Sequence, residues 1–504
     1  MATHETRRDG SLRRVAVTPV RVSGAALLAI AAAMLLSAVV AVIDGGGAAS
    51  GLLVASLITT SVGAGLFYGS KVSPTADSAL AFASVAWSWV AVSVAGALPF
   101  LLTGVIPWVR FDDALFESVS GFTCTGSTIL SDFSSVPQGL LFFRSMTQWL
   151  GGMGLIVLAV AVLPALGIGG LELIASESPG PTADRLSLKV RDTARRLWLL
   201  YGAATVLIAG CLLAAGMSIF DAATHAFTTV ATGGYSTYGD SIAHFDSILV
   251  EAILILGMLY CGANFSTHWH AATEGVGAYR RVSEIRWYLW IIFSAFALLV
   301  WVNAGELQWT ENLRDSLFYA VSLGTSTGFG TSDYMAWMPA AQVMLLVLML
   351  IGGMSGSTAG GMKVLRLQVV FRYAFRELLR ARHPKAIIPI RMGRSTIEEQ
   401  IAAKAVGFVL LYLGLIVVGG IILAGLGVDP VTAFSGSVSA LGNAGPALGE
   451  AGPTNNFLVF PRAGRAVLMS LMAFGRLEVF PAMLMLVASL RGVSQIRRHR
   501  EQLS

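Results

Sequence analysis

Four stretches of the chain repeat one pattern of hydroxyl-bearing, glycine and acidic residues. They read DALFESVSGFTCTGSTILSD from Asp113, DAATHAFTTVATGGYSTYGD from Asp221, DSLFYAVSLGTSTGFGTSD from Asp315 and TAFSGSVSALGNAGPALGE from Thr432, and they align on Gly126, Gly234, Gly328 and Gly445. Glycine takes a positive φ at little steric cost, so successive backbone carbonyls can turn toward one axis. A ring of carbonyl and hydroxyl oxygens can replace the hydration shell of a monovalent cation. The chemistry predicted for these loops is therefore the binding of a dehydrated cation.

The residues around each glycine keep their type and nearly keep their spacing. Upstream come the predicted helix caps Asp113, Asp221, Asp315 and Thr432, then the hydroxyls of Ser120, Thr228, Ser322 and Ser439. Downstream come acids, which we expect in an outer vestibule where they raise the local cation concentration: Asp132, Asp240, Asp333 and Glu450. In the fourth stretch, Asp429-Pro430 is an alternative helix start. Each stretch predicts a short helix that re-enters from the outer face; one copy alone could be an ordinary turn.

The elements that position these loops are predicted to be membrane helices. Of the 504 residues, 55% are hydrophobic and 12% are charged, whereas soluble domains carry about 25% charged residues. Ten segments are long and apolar enough to be spans, the eighth of them interrupted: Val22–Ile43, Gly51–Tyr68, Leu80–Leu102, Leu140–Leu163, Leu197–Met217, Ile248–Thr267, Tyr288–Val302, Ala340–Val370, Ile401–Leu426 and Ala466–Leu490. The first is longer than a signal-peptide core, so we expect it to be uncleaved.

The predicted fold is an all-α polytopic membrane protein with two N-terminal helices and four span–loop–span repeats around a pseudo-fourfold pore. Its predicted parts are a cytoplasmic N-terminus (1–21), a two-helix domain (22–76), pore repeats at 77–172, 173–274 and 275–372, the third with a gating loop, and a fourth repeat with the cytoplasmic C-terminus (373–504). Basic loops alternate with the four stretches, which predicts both termini in the cytoplasm. That bias accounts for the net charge of +5, so no nucleic-acid partner is implied.

The eighth span is interrupted by IGGMSGSTAGGMK, from Ile351 to Lys363. Each glycine in a helix interior costs about 1 kcal/mol, so this run predicts an intramembrane loop. We expect its glycines to form a gate beneath the cation site: Gly352, Gly353, Gly356, Gly360 and Gly361. The alternatives are a flexible kink or a tight helix-packing patch.

A charge also lies inside the tenth span, at Arg476. Such a charge costs about 3 kcal/mol on insertion scales and must face the interior or a partner. The spacing from Gly445 to Arg476 equals that from Gly328 to Ala359, which places Arg476 at the depth of the gating loop if the repeats are equivalent. We predict that it forms an electrostatic barrier and donates hydrogen bonds to that loop. The alternative is a structural arginine between subunits.

Other residues that could bind ligands lack the necessary pattern. The three cysteines have no paired spacing, and His268 and His270 point apart on a helix without accompanying ligands. No glycine-rich loop has the setting of a nucleotide site, so any nucleotide control must come from a partner, expected on the basic stretch 363–394.

With its four loops, its broken span and the arginine inside its tenth span, the sequence resembles the Trk/Ktr/HKT superfamily of potassium transporters, most closely the bacterial Trk-type membrane subunit. The resemblance covers the chain from about Val22 onward. It implies a gated potassium pore in the bacterial inner membrane, a homodimer, and cytoplasmic nucleotide-binding regulatory subunits beneath it. No cofactor is implied other than potassium ions in the filter, and no enzymatic activity.

The resemblance also assigns the ion-coordinating residues. They are Cys124, Thr125 and Gly126; Thr232, Gly233 and Gly234; Ser326, Thr327 and Gly328; and Asn443, Ala444 and Gly445. Glycine in all four loops resembles the potassium-permeating members. Cys124, where threonine is more usual, and Pro446 depart from the pattern, which bears on fine selectivity.

Two other classes of function remain alternatives. A proton- or sodium-coupled secondary symporter predicts inverted repeats and acids near the midplane, whereas these repeats share one orientation and their acids lie at the loop mouths. An intramembrane enzyme would need a nucleophile–base or metal constellation, and the sequence offers none.

Overall fold

The computed structural model describes residues 5–45, 47–70, 78–161, 183–386, 388–392 and 395–477. The helices in these ranges are α1 (Glu5–Ile43), α2 (Ala49–Gly69), α3 (Ser78–Leu102), α4 (Phe111–Phe122), α5 (Gln138–Ala161), α6 (Ala183–Ala214), α7 (Ile219–Val230), α8 (Ile248–Cys261), α9 (Phe265–Glu274), α10 (Ala278–Arg281), α11 (Ser283–Val302), α12 (Trp309–Gly324), α13 (Pro339–Ile351), α14 (Val364–Arg382), α15 (Glu399–Gly425), α16 (Pro430–Gly442) and α17 (Arg462–Arg476). A small hairpin pairs β1 (Ile390–Met392) with β2 (Ser395–Ile397).

The long apolar segments form helices where the sequence predicts them. Five helical stretches in the described residues are long and apolar enough to cross a membrane: Val20–Ile43, Ala49–Gly69, Asp192–Ala214, Ser283–Val302 and Glu399–Gly425. Two shorter apolar helices, Trp87–Leu102 and Pro339–Ile351, accompany them. The tenth predicted span is described only as far as residue 477, so its second half lies outside the described residues. Helix α14 runs through the predicted boundary at residues 372 and 373, because no glycine or proline interrupts it there.

The prediction of a continuous sixth span, Ile248–Thr267, is wrong. Helices α8 and α9 meet at an angle of 95°, and the chain turns between Cys261 and Phe265. Asn264 caps α9, because its side chain accepts a hydrogen bond from the backbone N–H of Thr267 at 3.1 Å. The side chain of Asn264 therefore begins a new helix at the point where a straight span was expected.

Four short helices, α4, α7, α12 and α16, precede the four predicted loops. The predicted caps are wrong, because α4 begins after Arg110, α7 after Ser218 and α12 after Gln308, so the three aspartates lie inside the helices. In α16 the alternative start is confirmed, since the Asp429 carboxylate accepts from the N–H groups of Val431 and Thr432 at 3.0 and 3.1 Å. Only the fourth cap combined a carboxylate with a proline, which is the stronger local signal.

The short helices are arranged in a ring, since each packs against the helix that follows the preceding loop. Helix α7 packs on α5, α12 on α8, α16 on α13, and α4 on α17. The last contact joins the end of the described chain to its first short helix and closes the ring. This arrangement brings the four loops after the short helices, residues 123–128, 231–236, 325–330 and 442–447, to one place. We call them pore loops 1 to 4.

Candidate cation pathway

The four pore loops leave their helices through the same hydrogen bond. In each, the backbone N–H of the residue before the aligned glycine donates to the carbonyl of the hydroxyl-bearing residue upstream. The pairs are Thr125 to Ser120 at 2.9 Å, Gly233 to Thr228 at 2.8 Å, Thr327 to Ser322 at 2.8 Å and Ala444 to Ser439 at 3.0 Å. The four loops are therefore equivalent in backbone geometry as well as in sequence.

In each pore loop, the residue before the donor of this hydrogen bond and the residue after it are both left-handed. Positive φ angles occur at Cys124 (52°) and Gly126 (86°), Thr232 (51°) and Gly234 (73°), Ser326 (54°) and Gly328 (87°), and Asn443 (50°) and Gly445 (94°). A left-handed residue other than glycine costs roughly 1–2 kcal/mol, so the same strain at four equivalent positions indicates a function. In a regular β-strand, successive carbonyls point to opposite sides. A left-handed conformation at every second residue turns them toward the same side.

The loops touch one another in a closed ring. A Cβ atom on Gly126 would overlap the carbonyl oxygen of Gly233 in the next loop. The same overlap would occur between Gly234 and Thr327, and between Gly328 and Ala444. A Cβ on Gly445 would lie 3.0 Å from the carbonyl oxygen of Thr125, which returns the ring to loop 1. Glycine is required at these positions because the neighbouring loop leaves no room for a Cβ atom and because the backbone φ is positive.

In three of the four repeats, the hydroxyl six residues before the aligned glycine supports the pore loop from behind. Ser120 donates to the Ser127 carbonyl at 2.6 Å, and Ser322 donates to the Phe329 carbonyl at 2.8 Å. Ser439 donates to the Gly445 carbonyl at 2.8 Å. Thr228 differs, because its hydroxyl donates back into its own helix.

A polar cavity of about 280 Å³ lies over the ring, and all four aligned glycines line it. The predicted vestibule acids are exposed, but none of the four lines this cavity. Asp132 and Asp333 instead accept hydrogen bonds from backbone N–H groups two residues further on, which turns their carboxylates toward their own loops. Hydrogen bonds from Ser134 and Ser135 lower the pKa of Asp132. The sequence predicts only acidic side chains for this vestibule, yet the side chain of Arg144 also lines the cavity.

The segment between α13 and α14, residues 352–363, packs against the other side of the ring. The N–H of Gly360 donates to the Ser326 hydroxyl in pore loop 3 at 2.6 Å. The Thr358 hydroxyl donates to the carbonyl of Val230, beside pore loop 2, at 3.0 Å. A Cβ on Gly360 would overlap the carbonyl of Gly442 in pore loop 4. The five glycines predicted to form a gate therefore lie in a non-helical segment in direct contact with the loops. We call it the intramembrane segment.

Two side chains from neighbouring helices hold the intramembrane segment, and the sequence did not indicate either. The Glu284 carboxylate accepts from the N–H groups of Ser355 at 2.7 Å and Leu365 at 3.1 Å, near the two ends of the segment. The Asn264 amide donates to the Ser355 carbonyl at 2.6 Å. The N–H of Phe265 donates to the Gly356 carbonyl at 3.1 Å. The bend between α8 and α9 therefore positions groups that bind the segment.

Arg476 lies between the intramembrane segment and pore loop 1. Its side chain is 2% exposed. Nη1 donates to the Thr358 carbonyl at 2.8 Å, while Nη2 lies 3.1 Å from the Cys124 sulfur and 3.2 Å from the Gly151 carbonyl. The structure thus places this arginine in contact with the segment, where the spacing of the repeats predicts it.

Metal ligation outside the loops has no support in the part of the chain that the structure describes. No group of three histidine, cysteine or acidic side chains is arranged to hold a metal ion there. Both ring nitrogens of His268 are within hydrogen-bond distance of Tyr279 and Tyr260 at 2.8 Å. His270 is exposed and pairs with Glu274. These histidines have local structural partners.

Comparisons with known proteins agree with this arrangement. The sequence model of the TrkH family, described as cation transport proteins, matches residues 51–286 and 282–491, which include all four pore loops. The Trk system potassium uptake protein TrkH of Escherichia coli is 37% identical over 404 residues, covering 79% of this chain and 83% of that protein. Its namesake in Halomonas elongata is 36% identical over 437 residues, covering 85% and 89%.

A solved structure extends the likeness to three dimensions. The crystal structure of the potassium transporter TrkH from Vibrio parahaemolyticus matches with a TM-score of 0.85 and 33% identity, over 93% of this chain and 98% of that one.

Proposed function

Because the chain belongs to the TrkH family of cation transport proteins, we propose that it is the pore-forming subunit of a potassium uptake system. The observation that carries the proposal is the closed ring in which each loop glycine meets a carbonyl of the next loop. Backbone carbonyls and hydroxyls are neutral oxygen ligands, which suit a dehydrated monovalent cation. The relatives are named as potassium uptake proteins, and we extend that cargo to this chain.

The proposed selectivity filter consists of residues 124–126, 232–234, 326–328 and 443–445. In it, the left-handed residues fix the loop backbone and the glycines allow the four loops to approach one another. No resident metal or cofactor is needed other than the potassium ions in transit. The acids Asp132, Asp240, Asp333 and Glu450 act at a distance on the cation concentration, since they do not line the cavity.

The intramembrane segment is proposed as the gate. It touches pore loops 3 and 4 directly and contacts Val230 immediately before pore loop 2, and Arg476 links it to pore loop 1. In this position it obstructs the path below the filter, and its glycines permit the backbone to move without side-chain collisions. Arg476 adds a positive charge on the same path and restrains the Thr358 carbonyl.

We propose ten crossings of the bacterial inner membrane, with both termini in the cytoplasm and the pore loops entering from outside. The proposed assembly is a homodimer above cytoplasmic nucleotide-binding regulatory subunits. Helix α14 carries exposed Phe371, Phe375 and Leu378 beside several arginines, so it offers both apolar and basic surface to such partners. A coupled symporter is not favoured, because the acids that follow the four aligned glycines are exposed and do not line the cavity over the ring.

Growth at low potassium tests the proposal. The full-length gene, expressed together with its regulatory subunit in a bacterial strain that lacks its own potassium uptake systems, should restore growth. A matched culture at high potassium controls for toxicity, and the amount of protein in the membrane is measured in parallel. Failure to restore growth by a well-expressed protein would overturn the proposal.

A further inference from the structure

A buried ion pair lies behind the junction of pore loops 1 and 2. Glu117 on α4 is 1% exposed and Arg144 on α5 is 2% exposed. The Arg144 Nε donates to a Glu117 carboxylate oxygen at 2.6 Å. Breaking such a pair leaves an uncompensated buried charge, so both residues are needed together.

Each member of the pair also holds loop backbone. Glu117 accepts from the Thr128 hydroxyl at 3.0 and 3.1 Å and from the Ile129 N–H at 3.1 Å, all at the outer end of pore loop 1. The Arg144 Nη1 donates to the Ser236 carbonyl in pore loop 2 at 2.9 Å. The ion pair therefore connects the two loops through two charged side chains.

Tyr235 and Gln148 complete the connection. The Arg144 guanidinium carbon lies 3.3 Å from the centre of the Tyr235 ring, and the Tyr235 hydroxyl donates to the Glu117 carbonyl at 3.0 Å. One helical turn from Arg144, the Gln148 amide donates to the Gly233 carbonyl at 2.7 Å and accepts from the Tyr235 N–H at 3.1 Å. A Cβ on Gly233 would overlap this amide. We call Glu117, Arg144, Gln148 and Tyr235 the clamp.

The other three junctions are built differently. Pore loops 4 and 1 meet through Asn443 and the Thr125 hydroxyl at 2.9 Å. Loops 3 and 4 meet through the Tyr334 hydroxyl and the Ala447 carbonyl at 2.6 Å. Loops 2 and 3 meet further out, through Ile242 and the Gly330 carbonyl at 3.0 Å. These bonds join neutral groups. Among the described residues, only the junction of pore loops 1 and 2 is therefore bridged by an ion pair that bonds loop backbone.

We propose that the clamp sets the distance between pore loops 1 and 2 and thereby determines how strongly the filter prefers potassium to sodium. The proposal rests on the proposed potassium pore and adds four positioning residues to it. A guanidinium donates in a rigid planar arrangement, so it fixes the distance between Glu117 and the Ser236 carbonyl more closely than a flexible ammonium would. If the loops keep this distance, opposed oxygens cannot close around the smaller sodium ion, which is the size-based account of selectivity.

Glu117 has a second, electrostatic role. Arg144 lines the vestibule, where an unpaired positive charge would repel arriving cations. The Glu117 carboxylate compensates that charge, and salt would screen the repulsion if the carboxylate were removed. Glu117→Gln should therefore reduce potassium flux most at low ionic strength, whereas Arg144→Lys should alter selectivity without that salt dependence.

The test measures potassium and sodium fluxes into liposomes that contain the full-length chain. For Arg144→Lys we expect the potassium-to-sodium flux ratio to fall about tenfold, the factor that corresponds to about 1.4 kcal/mol of relative affinity. The matched control is Arg465→Lys, because Arg465 forms a buried pair with Asp113 at 2.7 Å where α17 meets α4 and bonds no pore-loop residue. It should leave the ratio unchanged even if it lowers the amount of folded protein.

A second variant guards against misfolding. The double variant Glu117→Gln with Arg144→Met removes both charges, which a fold tolerates better than removing one. Its protection against thermal unfolding by potassium chloride and by sodium chloride is measured in detergent, where no flux is required. We expect the two salts to protect the wild type at different concentrations and the double variant at similar ones. An unchanged difference, or an unchanged flux ratio in Arg144→Lys, would overturn the clamp. Absence of potassium flux in the wild type would instead overturn the proposed function.

Discussion

The pore loops and the intramembrane segment are both rich in glycine, but different contacts hold them. Every pore loop is fixed to its own short helix by the same backbone hydrogen bond, 2.8–3.0 Å long in the four copies, and to the next loop by close packing. The intramembrane segment is held by single contacts from separate elements, among them Glu284, Asn264, Ser326 and Arg476.

This difference predicts opposite effects of substitution. The pore loops repeat one close contact around a ring. An added side-chain atom that disrupts this contact in any one loop should therefore stop transport. The segment depends on contacts that one substitution can remove, so losing a contact should free the segment and increase transport. We therefore expect the pore loops to keep one conformation and the proposed gate to change its conformation.

The largest effect is expected from Gly234→Ala. The new Cβ would overlap the Thr327 carbonyl at a φ of 73°, and overpacking together with the left-handed conformation costs about 3 kcal/mol. Potassium uptake by cells should fall about a hundredfold at equal expression. The control is Gly414→Ala, where no atom lies within 4 Å of the new Cβ. Equal uptake by both variants would contradict the ring.

A rise in flux is expected from Glu284→Ala. The substitution removes the acceptor of the Ser355 and Leu365 N–H groups, each bond to a charged acceptor contributing about 1.5–3 kcal/mol. Potassium flux without a regulatory subunit should increase about tenfold. Glu284→Gln keeps an acceptor oxygen and should stay closer to the wild type. A decrease with Glu284→Ala, in protein that remains folded, would show that the carboxylate does not hold a gate closed.

A smaller rise is expected from Arg476→Ala. The variant loses the bond to the Thr358 carbonyl and the positive charge, but Glu284 and Asn264 still hold the segment. Flux should increase about fivefold, which corresponds to about 1 kcal/mol. Arg476→Lys retains the charge and separates the two contributions. Unchanged flux in Arg476→Ala would remove this residue from the gate.

The smallest effect is expected from Asp132→Asn. This acid is exposed and does not line the cavity, so its attraction for cations passes through solvent. Potassium flux should fall less than about twofold at low salt and not at all near 1 M, where the Debye length is about 3 Å. The carboxyl group attracts cations at a pH above its pKa, where it is ionised, and loses this attraction at a pH below it. Because that pKa is lowered from 3.8, the wild-type flux should not change through this group between about pH 5 and 8. A loss of flux that persists at high salt would place Asp132 in the pathway itself.

The sequence was sufficient for features that depend on local backbone chemistry. A left-handed turn requires glycine wherever a side chain would collide, so Gly126, Gly234, Gly328 and Gly445 could be recognised and aligned. The Asp429-Pro430 start of α16 was also recognisable, because a capping carboxylate is followed there by a proline at the first helical position. The other three caps were misassigned because an aspartate inside the first turns of a helix resembles a cap when only spacing is known.

Features that depend on distant partners could not be predicted. The bond between Asn264 and Ser355 joins residues 91 positions apart, and nothing near Asn264 distinguishes it from an ordinary polar residue in a span. Arg144 and Glu117 lie on different helices, 27 positions apart in the sequence. Arg144 lies inside the fourth predicted span, and this position was nevertheless a signal, because buried charges need partners. The same argument predicts a buried partner for Arg476 and for Arg144.

The most direct test of the central claim is the flux of potassium and sodium into liposomes that contain only the purified chain, measured for the wild type, Glu284→Ala and Gly234→Ala. We predict a potassium flux that exceeds the sodium flux in the wild type, rises in Glu284→Ala and is lost in Gly234→Ala. The claim would be contradicted by equal fluxes of the two ions, or by the absence of potassium flux in both the wild type and Glu284→Ala.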